Sequence, residues 1–533
     1  MTQKTTNSFL KGALILAIAN IIVKVIGMVF RVPLTNIVGD YTMGLYSVAY
    51  KYYAILLTIA TAGLPIAISK MISESNALGR YHESKRIFHI ALLSCAALGL
   101  IGMSFLLVFA TPLANLSNDV NAAMSIMTLA PAVLFIAIAA AFRGYFQGHN
   151  RMAPTALSQV IEALSRLFIG LFVASLLLKF SKASNLVSAG AVSGITFGTG
   201  AAALILFIIS LVLKKKMRPP EGSDKTNIRT RGQIFKSLMY IALPVTVGAL
   251  VINLTSSIDM FLITNRRAVL GYAAEETTSL FGIYDNYAVP LFNLIPSIII
   301  SLNVSITPVI AAAHARGDYD GMLGVLLSAT RLVVMIALPA AIGISVLANP
   351  ILSLLYHVKD SVAIATPVLS IMSIASIFLC LSSLTSTVLQ ALGKPIVPVI
   401  TMVAGALVKI ASNYFLIVIP GVELNGAALG TVLCYAVITI LNLFYLSRFI
   451  GFKPSFSKTY MRPLAATAIM GAVCYLLFEF ISPVIGGVAA LGASIVVGGG
   501  VYIVLLVAFR GVTRADVLLL PKGEKLANLL RLK

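Results

Sequence analysis

Fourteen apolar segments run through almost the whole chain, and each is long enough to cross a membrane as a helix. The hydrocarbon core of a bilayer is about 30 Å thick, which a helix crosses in about 20 residues. Backbone polar groups in lipid must find their hydrogen bonds within the protein, which long apolar segments achieve as helices. The sequence therefore predicts an all-α polytopic membrane protein with fourteen transmembrane helices. The segments are residues 9–37, 43–72, 87–112, 121–146, 154–179, 185–213, 237–264, 279–312, 322–348, 361–391, 396–420, 424–448, 459–481 and 484–509.

The composition excludes a water-soluble globular protein. Hydrophobic residues make up 59% of the 533 residues, charged residues 11%, and the mean hydropathy is +0.98. The formal net charge of +21 could indicate nucleic-acid binding, but the Lys and Arg residues lie in short loops, where they set topology. We therefore expect no nucleic-acid partner. The four cysteines lie in apolar segments without metal-ligand spacing, so we expect no metal site and no disulfide.

The distribution of Lys and Arg predicts the orientation. Cytoplasmic loops of membrane proteins carry the excess of these residues. Assigning both termini to the cytoplasm places 28 of the 39 on the cytoplasmic side, 5 on the outer side and 6 within the spans. We predict a multi-pass protein of the plasma membrane with both termini cytoplasmic.

A basic stretch and a leucine-containing tail mark boundaries along the chain. The densest cluster of Lys and Arg lies in the linker between helices six and seven, and the tail alternates leucines with basic residues, as interfacial helices do. We predict an N-lobe of helices 1–6 at residues 1–213, a cytoplasmic basic linker at 214–236, a C-lobe of helices 7–12 at 237–450, helices 13 and 14 at 451–510, and a cytoplasmic amphipathic tail at 511–533.

Two separate stretches of the chain each match a stretch 243 residues later, which indicates an internal repeat. Many transporters are built from such repeats of membrane helices, with the substrate site between two lobes. The sequence therefore predicts two six-helix lobes related by duplication. The matching residues are Gln147 with Gln390, Leu164 with Leu407, Arg166 with Lys409, and Leu64-Pro65 with Thr307-Pro308.

Charged residues within the predicted spans are the candidates for a functional site. A charge deep in a bilayer is costly and must face protein or water. In the fifth span Gln159, Glu162 and Arg166 share one helix face, because residues three and four apart are neighbours. The basic candidates are Lys24, Arg31, Lys51, Arg166, Arg331 and Lys409, and the acidic ones are Glu162, Asp259 and Asp285.

Two interpretations of these charges remain open. Each charge could reach an interface or close a structural ion pair, and Glu162 with Arg166, one turn apart, could simply pair. Alternatively, the excess of cations over acids lines a cavity for an anionic substrate, such as one bearing phosphates. A proton-coupled exporter of cationic drugs would need acidic groups there.

Several short motifs rich in Gly, Pro and aromatic residues are explained by local structure, without a role in binding. Gly148 to Pro154 predicts a turn that opens the next helix, and Gly393 to Pro395 its counterpart. Gly63-Leu64-Pro65 predicts a bend. Phe142-Arg143-Gly144-Tyr145 is typical of an anchor at the inner membrane interface. Sequence signatures of ATPases, catalytic triads and metalloproteases are missing, so we expect neither an enzyme nor a cofactor.

Three stretches resemble a known family of membrane proteins. They are FRGYFQGHNRMAPTALSQVIEALSR, GLPIAISKMIS and LQALGKPIVPV. They are similar to the polysaccharide-transporter branch of the multidrug/oligosaccharidyl-lipid/polysaccharide (MOP) superfamily, above all to MurJ-like lipid II flippases and stage V sporulation protein B. The likeness extends over essentially the whole chain.

This resemblance implies two lobes around a central cavity, a groove with helices 13 and 14 for a lipid tail, and alternating access. In this family the first helix carries a basic residue followed, three positions later, by a glycine. Lys24 and Gly27 match this pattern. A second cation in that helix is met by Arg31, one position out of register. The arginine found in the eighth helix of Gram-negative members has no match, since Leu291 stands there.

Together these observations favour a flippase that moves lipid II outward for peptidoglycan synthesis. The expected partners are the lipid-linked anionic glycan and membrane lipids, and we expect a monomer. A flippase for another undecaprenyl-linked glycan and a cation-coupled multidrug exporter are the alternatives. The candidate substrate-binding residues are Lys24, Arg31, Lys51, Arg166, Lys409, Glu162, Gln159 and Asp259.

Overall fold

A computed structural model describes residues 3–181, 183–213, 229–509, 511–513 and 516. Within these ranges every regular element is a helix, and fourteen helical segments are long and apolar enough to cross a membrane. The first is Ile18–Val38 and the last Gly487–Ala508. The all-α class and the fourteen predicted spans are confirmed.

The chain divides into two compact units, Met1–Gly282 and Ile283–Lys533. The division lies inside the eighth span, one residue before the end of α9. The helices of the first unit are α1 Gln3–Val38, α2 Asp40–Thr61, α3 Leu64–Ala77, α4 Tyr81–Leu116, α5 Ala122–Gly148, α6 Ala153–Phe180, α7 Ser184–Leu213, α8 Arg231–Val269 and α9 Ala274–Ile283. The helices of the second unit are α10 Val289–Phe292, α11 Leu294–Ala315, α12 Tyr319–Val346, α13 Ala348–Leu355, α14 Lys359–Ala391, α15 Ile396–Leu416, α16 Glu423–Ile450, α17 Arg462–Ile485 and α18 Gly487–Ala508, with π-helical turns at Tyr284–Ala288 and Ser457–Met461.

The bend predicted at Gly63 separates α2 from α3 within one span. Gly63 lies against the backbone of α8, where a β-carbon would collide with the carbonyl group of Ala242 and meet the hydroxyl of Thr246 at 2.5 Å. Only glycine permits this approach, because it has no side chain. Pro65 then occupies the first turn of α3, where a missing N–H costs no hydrogen bond.

Helix α8 packs with the first unit, on α2, α3 and α4. Its N-terminus is closed by a capping box in which Thr230 and Gln233 satisfy each other's backbone N–H groups. Just before it, Arg229 donates to the buried carboxylate of Glu83 at 2.6 Å. The predicted linker lies largely outside the described residues, and the predicted lobe boundaries stay a prediction.

The packing within each unit agrees with the internal repeat. In the first unit α7 packs on both α5 and α6, and in the second α16 packs on both α14 and α15. Both predicted turns carry a residue in the left-handed region, Asn150 with φ of 56° and Gly393 with φ of 73°. A proline lies at the start of the helix that follows in each case.

Helices α17 and α18 pack against α12. Tyr502 donates to the carbonyl oxygen of Met335 at 2.9 Å. Arg331 forms a two-pronged ion pair with the buried Asp516, its Nη2 lying 2.8 Å from one carboxylate oxygen. Arg331 therefore closes a structural ion pair, which is one of the two interpretations given above for the charges within the spans. The predicted amphipathic tail lies almost entirely outside the described residues.

Candidate functional site

The first unit contains a cavity of about 360 Å³ between α1, α2, α5 and α6. Its apolar wall comes from small and aliphatic side chains, and its polar wall from Thr61 at the end of α2 and from the part of the α5–α6 hairpin nearest the turn. The polar lining residues are Thr61, Arg143, Gln147, Thr155, Gln159, Glu162 and Arg166.

Arg143 and Glu162 form the closest ion pair of the cavity. Nη2 of Arg143 lies 3.0 Å from Oε2 of Glu162, and its Nε donates to Oγ of Ser158, also at 3.0 Å. The Arg143 residue is only 9% exposed. The interpretation of this residue as an interface anchor is therefore wrong, because its guanidinium group turns inward to a carboxylate instead of outward to lipid head groups.

Arg166 is held more loosely than Arg143. Its Nη2 lies 4.0 Å from Oε1 of Glu162, beyond hydrogen-bond length, and its side chain is 23% exposed. Its guanidinium carbon lies 5.8 Å from the centre of the Tyr50 ring, within the range of a cation–π contact. The Nε atom is buried and has no hydrogen-bond partner. Glu162 therefore pairs mainly with Arg143, and Arg166 retains unused donor capacity.

Two further polar atoms on α6 lack a partner. The hydroxyl of Thr155, in a residue only 1% exposed, and the amide oxygen of Gln159 are both buried without a hydrogen bond. They lie one turn apart and both residues line the cavity. Buried polar atoms are rarely left unpaired, so these atoms point to a ligand or water in the cavity.

Close packing of α7 turns this polar face of α6 toward the cavity. A β-carbon on Gly198 would meet the carbonyl oxygen of Glu162 at 2.8 Å, and one on Gly194 would meet that of Arg166 at 3.0 Å. Small residues let two backbones approach closely in membrane helices. Because α7 occupies one side of α6, the polar side chains lie on the other.

The other residues of the first unit that the sequence analysis proposed for substrate binding do not line the cavity. Lys24 is exposed on α1, between Val23 and Gly27, which do line the cavity. Arg31 and Lys51 are half-buried, and Asp259 is buried in α8. Their assignment to a substrate site stays a prediction.

Lys409, in the second unit, is buried at 3% exposure. It lies on α15 in a stripe with Gly405 and Asn413. A β-carbon on Gly405 would meet the carbonyl oxygen of Cys434 at 3.0 Å, so the stripe packs toward α16. The assignment of Lys409 to substrate binding likewise stays a prediction.

The repeat has a neutral network where the first unit has charges. The repeat offset relates Arg143 to Ser386 and Ser158 to Thr401. Nδ2 of Asn442 donates to Ser386 at 2.9 Å, and Thr401 donates to Oδ1 of Asn442 at 2.7 Å. The same two hairpin positions are thus bridged by the amide of Asn442 in one repeat and joined by a direct hydrogen bond from Arg143 to Ser158 in the other.

The sequence analysis did not propose Arg143, Gln147 and Thr155, which line the cavity, or Ser158, which accepts a hydrogen bond from Arg143, as substrate-binding residues. A signal was available, because Arg143 and Ser158 are almost equally far from the turn at Asn150. Two antiparallel helices joined by a short turn bring such residues to the same level. Among the described residues, no three His, Cys, Asp or Glu side chains lie close enough to hold a metal ion.

Comparison with known proteins identifies the family. The sequence family described as "Polysaccharide biosynthesis protein" matches residues 9–314, more than half of the chain. The chain belongs to the polysaccharide biosynthesis protein family. A second family, MatE, matches residues 286–415. Stage V sporulation protein B of Bacillus subtilis is 26% identical, over 96% of this chain and 98% of its own length. Lipid II flippase MurJ of the same organism is also 26% identical, over 93% and 95%.

The fold is also found among solved structures. Lipid II flippase MurJ in an inward closed conformation matches with a TM-score of 0.68 at 17% identity, over 93% of this chain and 98% of that chain. The resemblance predicted from the sequence motifs is confirmed. The protein is a multi-pass membrane protein of the polysaccharide biosynthesis protein family, and its fold is that of MurJ.

Proposed function

We propose that this transporter moves a lipid-linked anionic glycan from the inner to the outer leaflet of the plasma membrane by alternating access, and that this glycan is lipid II. Such a head group does not cross hydrocarbon unaided, because its charges and polar groups would lose their water. The family and the two relatives named above support a lipid-linked glycan as the substrate. We further propose that the protein acts as a monomer with both termini in the cytoplasm.

The cation excess in the cavity of the first unit carries this proposal. Arg143 and Arg166 share the carboxylate of Glu162, so the cluster has a formal charge of +1. A positive cluster away from bulk water attracts phosphate and carboxylate groups strongly. An exporter of cationic drugs would require the opposite balance, and the cluster therefore disfavours it.

We assign the remaining candidates to the same substrate path. Lys24, Arg31, Lys51 and Lys409 would neutralise phosphates and carboxylates of the head group as it passes. Gln159 would hydrogen-bond its polar groups, and Asp259 would pair with a cationic group.

A flippase for another undecaprenyl-linked glycan is the second candidate. Two relatives with different names, stage V sporulation protein B and MurJ, are equally identical to this chain. Overall similarity therefore favours neither substrate. The choice between them requires a measurement on lipids.

Depletion of the protein in the cells that produce it distinguishes these candidates. We expect lipid II to accumulate in the inner leaflet, as measured by its protection from an impermeant label. Wild-type protein should restore its exposure, and so should Lys70→Gln, which removes an exposed surface cation. Arg166→Gln should not. Accumulation of a different undecaprenyl-linked glycan would support the second candidate. Normal sidedness of all such lipids, with increased drug sensitivity, would contradict both.

A further inference from the structure

We propose that the cavity of the first unit is a subsite for one sugar ring together with the phosphate attached to it. This inference rests on the proposed function, which names a lipid-linked glycan but no part of it for this cavity. The observations that carry it are the size of the cavity and the unpartnered atoms of Thr155, Gln159 and Arg166.

The size limits the ligand to a fragment of a glycan. About 360 Å³ lies near the lower end of the range for small-molecule sites, which is about 300 to 1,000 Å³. This volume suits a single sugar ring with its phosphate. A disaccharide carrying a peptide, such as the head group of lipid II, is several times larger, so most of it must lie elsewhere.

Arg166 provides the phosphate end of the subsite. Guanidinium groups bind phosphate best through two parallel N–H groups. In Arg143 both Nε and Nη2 already donate to protein groups, whereas in Arg166 Nε has no partner and Nη2 lies 4.0 Å from the nearest carboxylate oxygen. Arg166 can therefore offer a two-pronged contact without breaking an existing hydrogen bond.

Thr155 and Gln159 provide the sugar end. The unpartnered atom of Gln159 is an amide oxygen, which accepts hydrogen bonds, and that of Thr155 is a hydroxyl, which accepts and donates. A bare phosphate offers few donors to satisfy them, whereas sugar hydroxyls both donate and accept. The combination of a cation and an acceptor thus distinguishes a sugar phosphate from a simple anion.

The spacing along α6 fits this assignment. Gln159 and Arg166 are seven residues apart, or about 10 Å along the helix axis. Helical side chains lean toward the N-terminus, so the long Arg166 side chain reaches back toward Glu162 and Gln159. The contact between Arg166 and Glu162 has this direction.

The test is ligand binding to the purified full-length protein in nanodiscs, measured by calorimetry. The probes are N-acetylmuramic acid 1-phosphate, N-acetylmuramic acid and inorganic phosphate, with the lactyl carboxyl group of both sugars amidated as it is in lipid II. We expect the sugar phosphate to bind at least tenfold more tightly than either part alone. Thr155→Val and Gln159→Leu should each weaken the sugar phosphate about three- to tenfold, the loss typical of one hydrogen bond, and leave phosphate binding unchanged. Arg166→Gln should weaken both anions.

Matched variants separate a lost contact from a lost fold. Thr155→Ser keeps the hydroxyl and should bind as the wild type does. Gln390→Leu changes the repeat counterpart of Gln147 on an exposed position of the second unit and should have no effect. Equal affinity for phosphate and sugar phosphate, or unchanged affinity in folded Thr155→Val, would overturn the subsite.

Transport in proteoliposomes distinguishes a lipid-linked source of the sugar phosphate from a soluble one. If the group belongs to a lipid-linked glycan, the free probe should inhibit flipping with the same dependence on Thr155 and Gln159. Binding without any flipping would support the subsite with a soluble ligand and contradict the proposed function. Normal flipping with no probe binding would leave the proposed function standing and overturn the subsite.

Discussion

Arg143 donates to Glu162 at 3.0 Å across the turn between α5 and α6, whereas Arg166, on the same helix as Glu162, remains 4.0 Å away. Two cations that look alike in the sequence therefore have different surroundings. One is fixed by hydrogen bonds within the protein, and the other keeps donor atoms for a ligand. The first two predictions below follow from the Arg143 pair and from the packing around it.

Removal of Arg143 should destabilise the protein. Arg143→Gln leaves the carboxylate of Glu162 without its close partner, and breaking a buried pair typically costs about 3 to 5 kcal/mol. The melting temperature in detergent should fall clearly, and the double variant Arg143→Gln/Glu162→Gln should recover most of it. The exposed pair of Lys70 with Glu74 provides the control, since Lys70→Gln should change the melting temperature little. A wild-type melting temperature for Arg143→Gln would show that this pair does not support the fold.

Two glycines of α7, Gly198 and Gly200, test the contact with α6, because they are two residues apart and so lie on different sides of the helix. A β-carbon on Gly198 would meet the Glu162 carbonyl oxygen at 2.8 Å, whereas on Gly200 it would meet the Phe135 ring at an ordinary 3.4 Å. Gly198→Ala should therefore destabilise the protein by about 1 to 3 kcal/mol. Gly200→Ala should be neutral or stabilising, because alanine favours helix. Equal melting temperatures for the two variants would contradict the close packing of α6 and α7.

The predicted topology can be tested by thiol labelling. The native Cys95, Cys380, Cys434 and Cys474 are all buried, so background labelling should be low. A cysteine at the exposed Lys394, in the turn before α15, should react with an impermeant reagent only after the cells are permeabilised. A cysteine at the exposed Lys359, at the start of α14, should react in intact cells. The reverse pattern would invert the orientation deduced from the loop charges.

The helices could be predicted from the sequence because their length and hydropathy are set by the bilayer rather than by neighbouring helices. The turns at Asn150 and Gly393 could be predicted for a similar reason, since they depend on local Gly, Asn and Pro chemistry. The polar face of α6 could also be predicted, because Gln159, Glu162 and Arg166 are three and four residues apart and so lie on one side of a helix.

The pairing of Glu162 could not be predicted from one helix. Spacing assigns it to Arg166, but the partner is set by how α5 and α6 are rotated about their own axes. That rotation depends on the close packing of Gly194 and Gly198 of α7 against α6, which a pattern within α6 does not contain. The position of α8 within the first unit likewise depends on contacts, such as that of Gly63 with Ala242, between residues distant in sequence.

The most direct test of the central claim is the initial rate of lipid II flipping by purified protein in liposomes, compared between wild type, Arg166→Gln and Arg166→Lys. Lysine keeps the charge but lacks the planar two-pronged geometry. We predict that Arg166→Gln abolishes flipping, that Arg166→Lys retains a reduced rate, and that both variants melt close to the wild type. Wild-type rates for Arg166→Gln, in protein that flips lipid II, would contradict a role of the cavity in transport.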